Sequence, residues 1–247
     1  IKTLLLVFTI LMGILTYAQQ FSSQAEQVSI LELFTSQGCQ KCLDADKLLS
    51  KLQESPALFK KVIPIAYHVD YWNDKGWIDP LSTKASTKRQ YEYATIWRKP
   101  RIYTPLFVFN GLSTRFWSID ELDLDTPYKN KPGILSIKLK NKKFMSVHFK
   151  SNDKKHIKKT NVIIHANIMV MDLATKVLSG ENKGKTLHND FVSVALKNKD
   201  SHILDRSLSE IMHIPKFTPK RGKTYYIVVW LTDSSNLVIQ SLAGKLN

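Results

Sequence analysis

Cysteine and acidic side chains are both scarce in this 247-residue chain: two Cys, and 21 Asp+Glu against 36 Lys+Arg. Two cysteines exclude a disulfide-dense scaffold and a four-cysteine zinc site within one chain. There is no Ser/His/Asp arrangement, phosphate-binding glycine loop, dinucleotide fingerprint or internal repeat. After the first fifteen residues no stretch is long and apolar enough to span a membrane. The shortage of acid leaves a formal charge of +15, which by itself suits nucleic acid, an anionic membrane surface or a solvated lysine-rich exterior. Its distribution separates these. Residues 19–117 carry 13 basic and 9 acidic side chains, residues 118–247 carry 22 and 12. The surplus gathers in tracts such as Lys138 to Lys143 and Lys150 to Lys159, where lysine outnumbers arginine and no aromatic residues interleave as base-stacking platforms. A solvated face is expected, and no nucleic-acid partner.

The hydrophobic fraction, 43%, is that of an ordinary globular protein, and the length suits one large domain or two small ones. The opening residues place Lys2 before an apolar run from Leu4 to Leu15 and the small-residue exit Thr16-Tyr17-Ala18. This reads as a secretory signal peptide cut after Ala18. No cysteine follows the run, which excludes a lipid-modified cysteine there. The expectation is an exported protein, periplasmic or extracellular, with no transmembrane span after cleavage and with exported or envelope proteins as partners.

Export sharpens the meaning of Cys39-Gln40-Lys41-Cys42. In an oxidising compartment such a pair is either a static disulfide or one that cycles. Two intervening residues close a small ring, so loop entropy gives little reason for a structural staple. At a helix N-terminus the same spacing lowers a thiol pKa and makes the first cysteine a nucleophile, and Lys41 adds positive charge.

Around the pair the chain alternates strand and helix signals. Val28 to Phe34 is a strand-length apolar run, and Leu43 to Leu52 has apolar residues at 45, 48, 49 and 52, a helical spacing. Val62 to Val69 reads as a second buried strand, with Pro64 marking an edge or a start. Ser82 to Trp97 reads as a helix, and Leu106 to Phe109 as a strand ended by the Asn110-Gly111 turn signal. This order implies an α/β sheet layered with helices. Beyond residue 133 the pattern is β: Ile134–Lys140 and Phe144–Lys150 alternate cleanly across a hairpin. Further strands are expected at 161–171, 191–196, 224–231 and 237–242, together a β-sandwich.

The order strand, CxxC, helix, strand, helix, Thr-Pro, strand resembles the thioredoxin fold. The words are more specific: Glu32-Leu33-Phe34-Thr35-Ser36-Gln37-Gly38-Cys39, His68-Val69-Asp70-Tyr71-Trp72, Gly76-Trp77-Ile78-Asp79-Pro80, Arg89-Gln90, Tyr93-Ala94 and Tyr103-Thr104-Pro105. They resemble a bacterial family of secreted, thioredoxin-like proteins of undetermined function, over residues 28 to 111 and more thinly over Gly180 to His188. Family members commonly carry proline where Leu43 stands. Together with the patterns above, the resemblance divides the chain into an expected signal peptide over 1–18, a thioredoxin-like domain over 19–117, a linker over 118–133 and a β-sandwich-like region over 134–247. It also implies a cis Thr104–Pro105 bond facing the cysteines.

The expected activity is thiol–disulfide exchange on protein thiols and disulfides. Cys39 would attack, Cys42 would resolve, and Thr104 and Pro105 would hold substrate backbone beside His68, Tyr71 and Trp72. No cofactor or metal is expected in that reading. Two rivals remain: a binding protein in which the Cys39–Cys42 disulfide is structural, and a Cu(I)-handling chaperone in which His68 joins two thiolates.

Overall fold

The computed structural model describes residues 19–115, 118–153 and 159–247. The segment read as a signal peptide, and the central part of the Lys150–Lys159 tract, lie outside the described residues. In chain order the elements are β1 (Gln20–Ser22), β2 (Ser29–Thr35), α1 (Cys42–Ser50), β3 (Val62–His68), α2 (Lys84–Ile96), β4 (Leu106–Phe109), β5 (Leu112–Thr114) and α3 (Asp125–Lys129). They continue with β6 (Gly133–Leu139), β7 (Phe144–Ser151), β8 (Thr160–Val170), β9 (Leu173–Lys176), β10 (Thr186–Asn189), β11 (Val192–Ile203), β12 (Ser207–His213), β13 (Tyr225–Thr232) and β14 (Val238–Leu246). The protein is mostly β-sheet with few helices. No described helix is long and apolar enough to cross a membrane.

An eight-stranded sheet, ordered β14-β13-β8-β11-β3-β2-β4-β5, takes strands from both the first and the second half of the chain. A four-stranded sheet, β1-β6-β7-β12, packs on it, and β9 and β10 form a separate hairpin ladder. β2 and β3 are parallel, and β4 returns antiparallel to β2. β11 meets β3 in parallel only at Val192 and Ala66. Pro64, which cannot donate to a ladder, lies two residues before that flank of β3 is paired.

Two cores follow from the period-2 alternation of the large sheet. On β8, Val162, Ile164, Ala166, Ile168 and Val170 face the four-stranded sheet and meet Leu135, Ile137, Val147 and Phe149. On β13 the alternation splits Ile227, Val229 and Leu231 into that same core, while Val228 and Trp230 turn to the other face. There they join Leu31, Leu33, Phe34, Tyr67 and Tyr93 beneath α1 and α2. Each such buried side chain contributes roughly 1.5–3 kcal/mol. His165, stacked on Trp230 with ring centroids 4.7 Å apart, is bonded by Asn198 and Thr232 and held neutral, chiefly by burial.

The large sheet curls until the β4–β5 turn reaches the β13–β14 turn. Gly111 has φ +90°, and any Cβ there would run into the main chain of Asn236. The contact is stitched by the Val238 N–H donating to Asn110 O (3.4 Å), while Asn110 Oδ1 accepts from the Ile30 N–H (3.0 Å). Local signals set the helix ends. Thr83, in extended backbone, caps α2 by accepting from the Ser86 N–H, one residue past the Ser82 start expected from sequence.

Candidate functional site

Three loops emerge together at one end of the large sheet. The register pairs Thr35 with His68 and Phe34 with Leu106. The segments after β2 (Ser36–Lys41), after β3 (Val69–Trp72) and before β4 (Tyr103–Pro105) therefore leave from the same end. In sheets with parallel strands, the carboxyl ends of those strands are where ligand sites form.

The first loop carries the cysteines. The Cys39 N–H donates to Ser36 O (3.1 Å), the Gly38 N–H to Ser36 Oγ (3.1 Å), and the Cys42 N–H to Cys39 O (3.2 Å). This tight turn delivers Cys42 as the first residue of α1. The two cysteines form a disulfide with Cα atoms 5.4 Å apart. Gln40 and Lys41 are exposed, yet Cys39 is only 2% exposed and Cys42 fully buried. The Thr104–Pro105 peptide is cis.

Part of what surrounds the pair comes from far along the chain. Asn182 Nδ2 donates to Gln37 O (2.9 Å), and the Gln40 N–H donates to Glu181 Oε2 (3.3 Å). Gln37 Nε2 donates to Asn189 Oδ1 (2.9 Å) and its Oε1 accepts from Trp77 Nε1 (3.3 Å). Gly76 and Gly180, both at positive φ, let the two loops touch. A Cβ on Gly180 would sit 3.1 Å from that of Trp77, and Ser179 Oγ donates to Gly76 O (2.6 Å). The Gly180–His188 words thus form a strap over the cysteine loop.

Beneath the turn lies a buried charged cluster. Asp46 is one helical turn after Cys42 on the inner face of α1, and accepts from Thr35 Oγ1 (3.1 Å). Burial pushes its carboxyl up to about 6 against the pull of His68. His68, fully buried at the end of β3, has Nδ1 2.7 Å from Asp79 Oδ2. Burial favours its neutral form, but Asp79 and Asp46 outweigh this and raise its pKa. Burial acts to raise Asp79, yet His68 and the N–H groups of Gln37 and Leu81 hold it below the usual carboxylate range. Asp79 therefore ties His68 to the cysteine loop through Gln37 N (2.8 Å). His68 Nε2 has no hydrogen-bond partner among the described residues.

Tyr71 and Trp72 are half-buried. The Tyr71 hydroxyl donates to Gln90 Oε1 (3.2 Å), and Gln90 Nε2 donates to Tyr103 O (2.7 Å), so Gln90 links α2 to the loop carrying Thr104 and Pro105. Burial raises the Tyr71 phenol to about 12. Trp72 packs its main chain against Gly38, and Lys75 Nζ lies 4.2 Å over its ring. The Arg89 and Tyr93 words have a structural role: Arg89 Nε donates to Glu32 Oε1 (3.0 Å) and the Tyr93 hydroxyl to Glu32 Oε2, all fully buried. Among the described residues no group of three or more His, Cys, Asp or Glu is placed to hold a metal ion.

The sequence reading assigned no chemistry to Asp46, Asp79, Gln37, Glu181 or Asn182. Asp46 was detectable, since a carboxylate at the i+4 position from Cys42 shares the helix face of Ala45 and Leu49. Two of the partners of Gln37, Asn182 and Asn189, were not, being 145 and 152 residues away.

Two solved structures are similar to the chain. The X-ray crystal structure of protein AGR_C_4864 from Agrobacterium tumefaciens is 20% identical, with 88% of this chain and 94% of that one covered and a TM-score of 0.60. HBP35 of Porphyromonas gingivalis is 13% identical, with 91% and 76% covered and a TM-score of 0.56. At these identities the likeness is one of fold alone. No curated protein matches the chain. The family described as "Protein of unknown function (DUF1223)" matches residues 30–231, the strap and the cysteine turn included, and the chain belongs to that family.

Proposed function

We propose that the protein is an exported thiol–disulfide oxidoreductase whose chemistry lies in a thioredoxin-like portion, residues 19–117, acting on exported or envelope proteins. The observation that carries the reading is the placement of the Cys39–Cys42 pair. It sits at the turn from a central parallel strand into a helix N-terminus, with Thr104–Pro105 opening the antiparallel neighbour at the same end of the sheet. A helix N-terminus stabilises thiolate, so the reduced pair is activated there.

In the reducing direction, Cys39 thiolate attacks one sulfur of a client disulfide. The client S–S bond breaks, its other sulfur leaves as thiolate, and a Cys39–client disulfide forms. Cys42 thiolate then attacks Cys39 Sγ, restoring the Cys39–Cys42 disulfide and releasing the client dithiol. Run in reverse, the same two steps oxidise a client dithiol. Asp46, buried on the same face one helical turn after Cys42, is the carboxyl that would accept the Cys42 proton. Thr104, Pro105, Tyr71 and Trp72 supply the surface on which client backbone is held.

The burial of Cys39 favours a second reading, a disulfide that clasps the turn from β2 into α1 while another surface binds a partner. One experiment separates the two. The oxidised protein is titrated with glutathione redox buffers and tested for reduction of insulin disulfides with dithiothreitol as electron source. The oxidoreductase reading expects reversible titration and a turnover that Cys39→Ser abolishes. A disulfide inert to glutathione, or turnover unchanged in Cys39→Ser, leaves the structural clasp.

A further inference from the structure

Between the C-terminal end of α2, the segment 99–106 and the edge strand β5 lies a cleft of about 680 Å³. Its volume is within the range of small-molecule sites. Its walls include Ala94, Trp97, Ile102, Tyr103, Leu106 and Leu112, and two of these, Tyr103 and Leu112, are 49% and 59% exposed. Apolar side chains held open in a concave site, rather than scattered singly, mark a binding surface.

The polar groups divide by depth. Gln90 is fully buried, and both ends of its amide are already used, by Tyr103 O and the Tyr71 hydroxyl. Each polar atom of its side chain thus already has a protein partner, and the interior favours an apolar body. The charged lining residues are Lys99 and Arg101, both exposed, and no acidic residue lines the cleft. Among the described residues neither takes part in an ion pair.

We propose that this cleft binds a small amphipathic anion, a fatty-acyl carboxylate in chemical class. Its chain lies along Trp97, Ile102, Leu106 and Leu112, and its carboxylate between Lys99 and Arg101. Apolar area supplies most of the attraction, and the two cations select the sign of the head group. No lining residue belongs to the Cys39–Cys42 turn, although Tyr103 and Leu106 flank Thr104–Pro105, so the cleft adjoins the proposed client surface without including the sulfurs.

The test is calorimetric titration of the full mature chain with dodecanoate below its micelle concentration, and with dodecyltrimethylammonium as the cationic counterpart. A single saturable site is expected for dodecanoate, with at least tenfold weaker binding of the ammonium compound. Lys99→Glu with Arg101→Glu, two exposed positions whose change leaves the far-UV circular dichroism intact, is expected to weaken dodecanoate at least tenfold. Leu112→Glu is expected to weaken it similarly, whereas Cys39→Ser with Cys42→Ser leaves it unchanged. Absence of saturable binding, equal affinity for both head groups, or indifference to both sets of substitutions overturns the proposal. So does binding of an acidic leucine-containing peptide in the absence of dodecanoate binding, which would make the cleft a peptide site.

Discussion

Asp46 shows how one buried carboxyl couples stability to pH. Its ordinary value is 3.8 and burial brings it to about 6. Between those values the folded protein retains a proton that the unfolded chain has lost. Asp46 therefore subtracts stability as pH rises from about 4 to about 6, and the full penalty of about 3 kcal/mol persists above that range. Asp46→Asn is expected to be near neutral at pH 4 and more stable than the parent by up to about 3 kcal/mol at pH 7.5, measured by urea unfolding at each pH. A difference that stays constant with pH would refute this account. His68 acts in the same direction at higher pH. Its raised value means its pairing with Asp79 is fully felt below 6.5 and lost as pH passes its folded value. Asp79, held low, works oppositely, its contribution fading only as pH falls below 3.8. The sequence places His68 among the groove residues; its complete burial and its bond to Asp79 instead make it an interior group of the site.

At the scale of elements, helices and central strands were legible because their apolar residues repeat at their own periods. The inner face of α1, with Ala45 and Leu49, and the fully buried runs of β2 and β3 needed no distant partner to be recognised. β12 was not read, since Leu208 and Met212 are its only fully buried apolar side chains among polar ones. The same holds for β9 and β10, whose residues pair with each other and carry little apolar surface. β11 runs to Ile203 rather than ending near Leu196, because β8 offers a continuous antiparallel partner as far as Thr160. The strap at Ser179–Lys185 is hydrogen-bonded to the cysteine loop on either side of Cys39, at Gln37 O and Gln40 N. Asn182 is nearly fully buried and holds Gln37 O. One such hydrogen bond is worth about 1 kcal/mol. Asn182→Ala is expected to speed reduction of the Cys39–Cys42 disulfide by dithiothreitol about fivefold, the same energy expressed as a rate. Thiol-release kinetics measure it, and an unchanged rate would show that the strap does not gate the sulfurs.

Over the whole molecule, the two sheets behave as one body because β8 and β13 contribute alternate side chains to both cores. Gln240, fully buried on β14, adds a polar tie. Its Nε2 donates to Gly133 O (2.8 Å) and Glu26 O (3.0 Å), and its Oε1 accepts from the Val28 N–H (3.0 Å). Gln240→Ala leaves these backbone groups buried without partners and is expected to cost about 2–4 kcal/mol. The loss should appear equally in tryptophan fluorescence and far-UV circular dichroism. Separate transitions by the two probes would show that the sheets unfold independently. By itself the sequence determined the period of each major element, the spacing of Cys39 and Cys42 ahead of a helix, and a lysine surplus set away from them, because these depend on neighbours a few residues apart. Tertiary structure alone decided that β8, β11, β13 and β14 extend the sheet begun at Ser29, that Asp46, His68 and Asp79 meet beneath the cysteine turn, and that a strap 145 residues away bonds to it. Those features are contacts between surfaces whose polar groups must each find a buried partner, and no local pattern records which one they find.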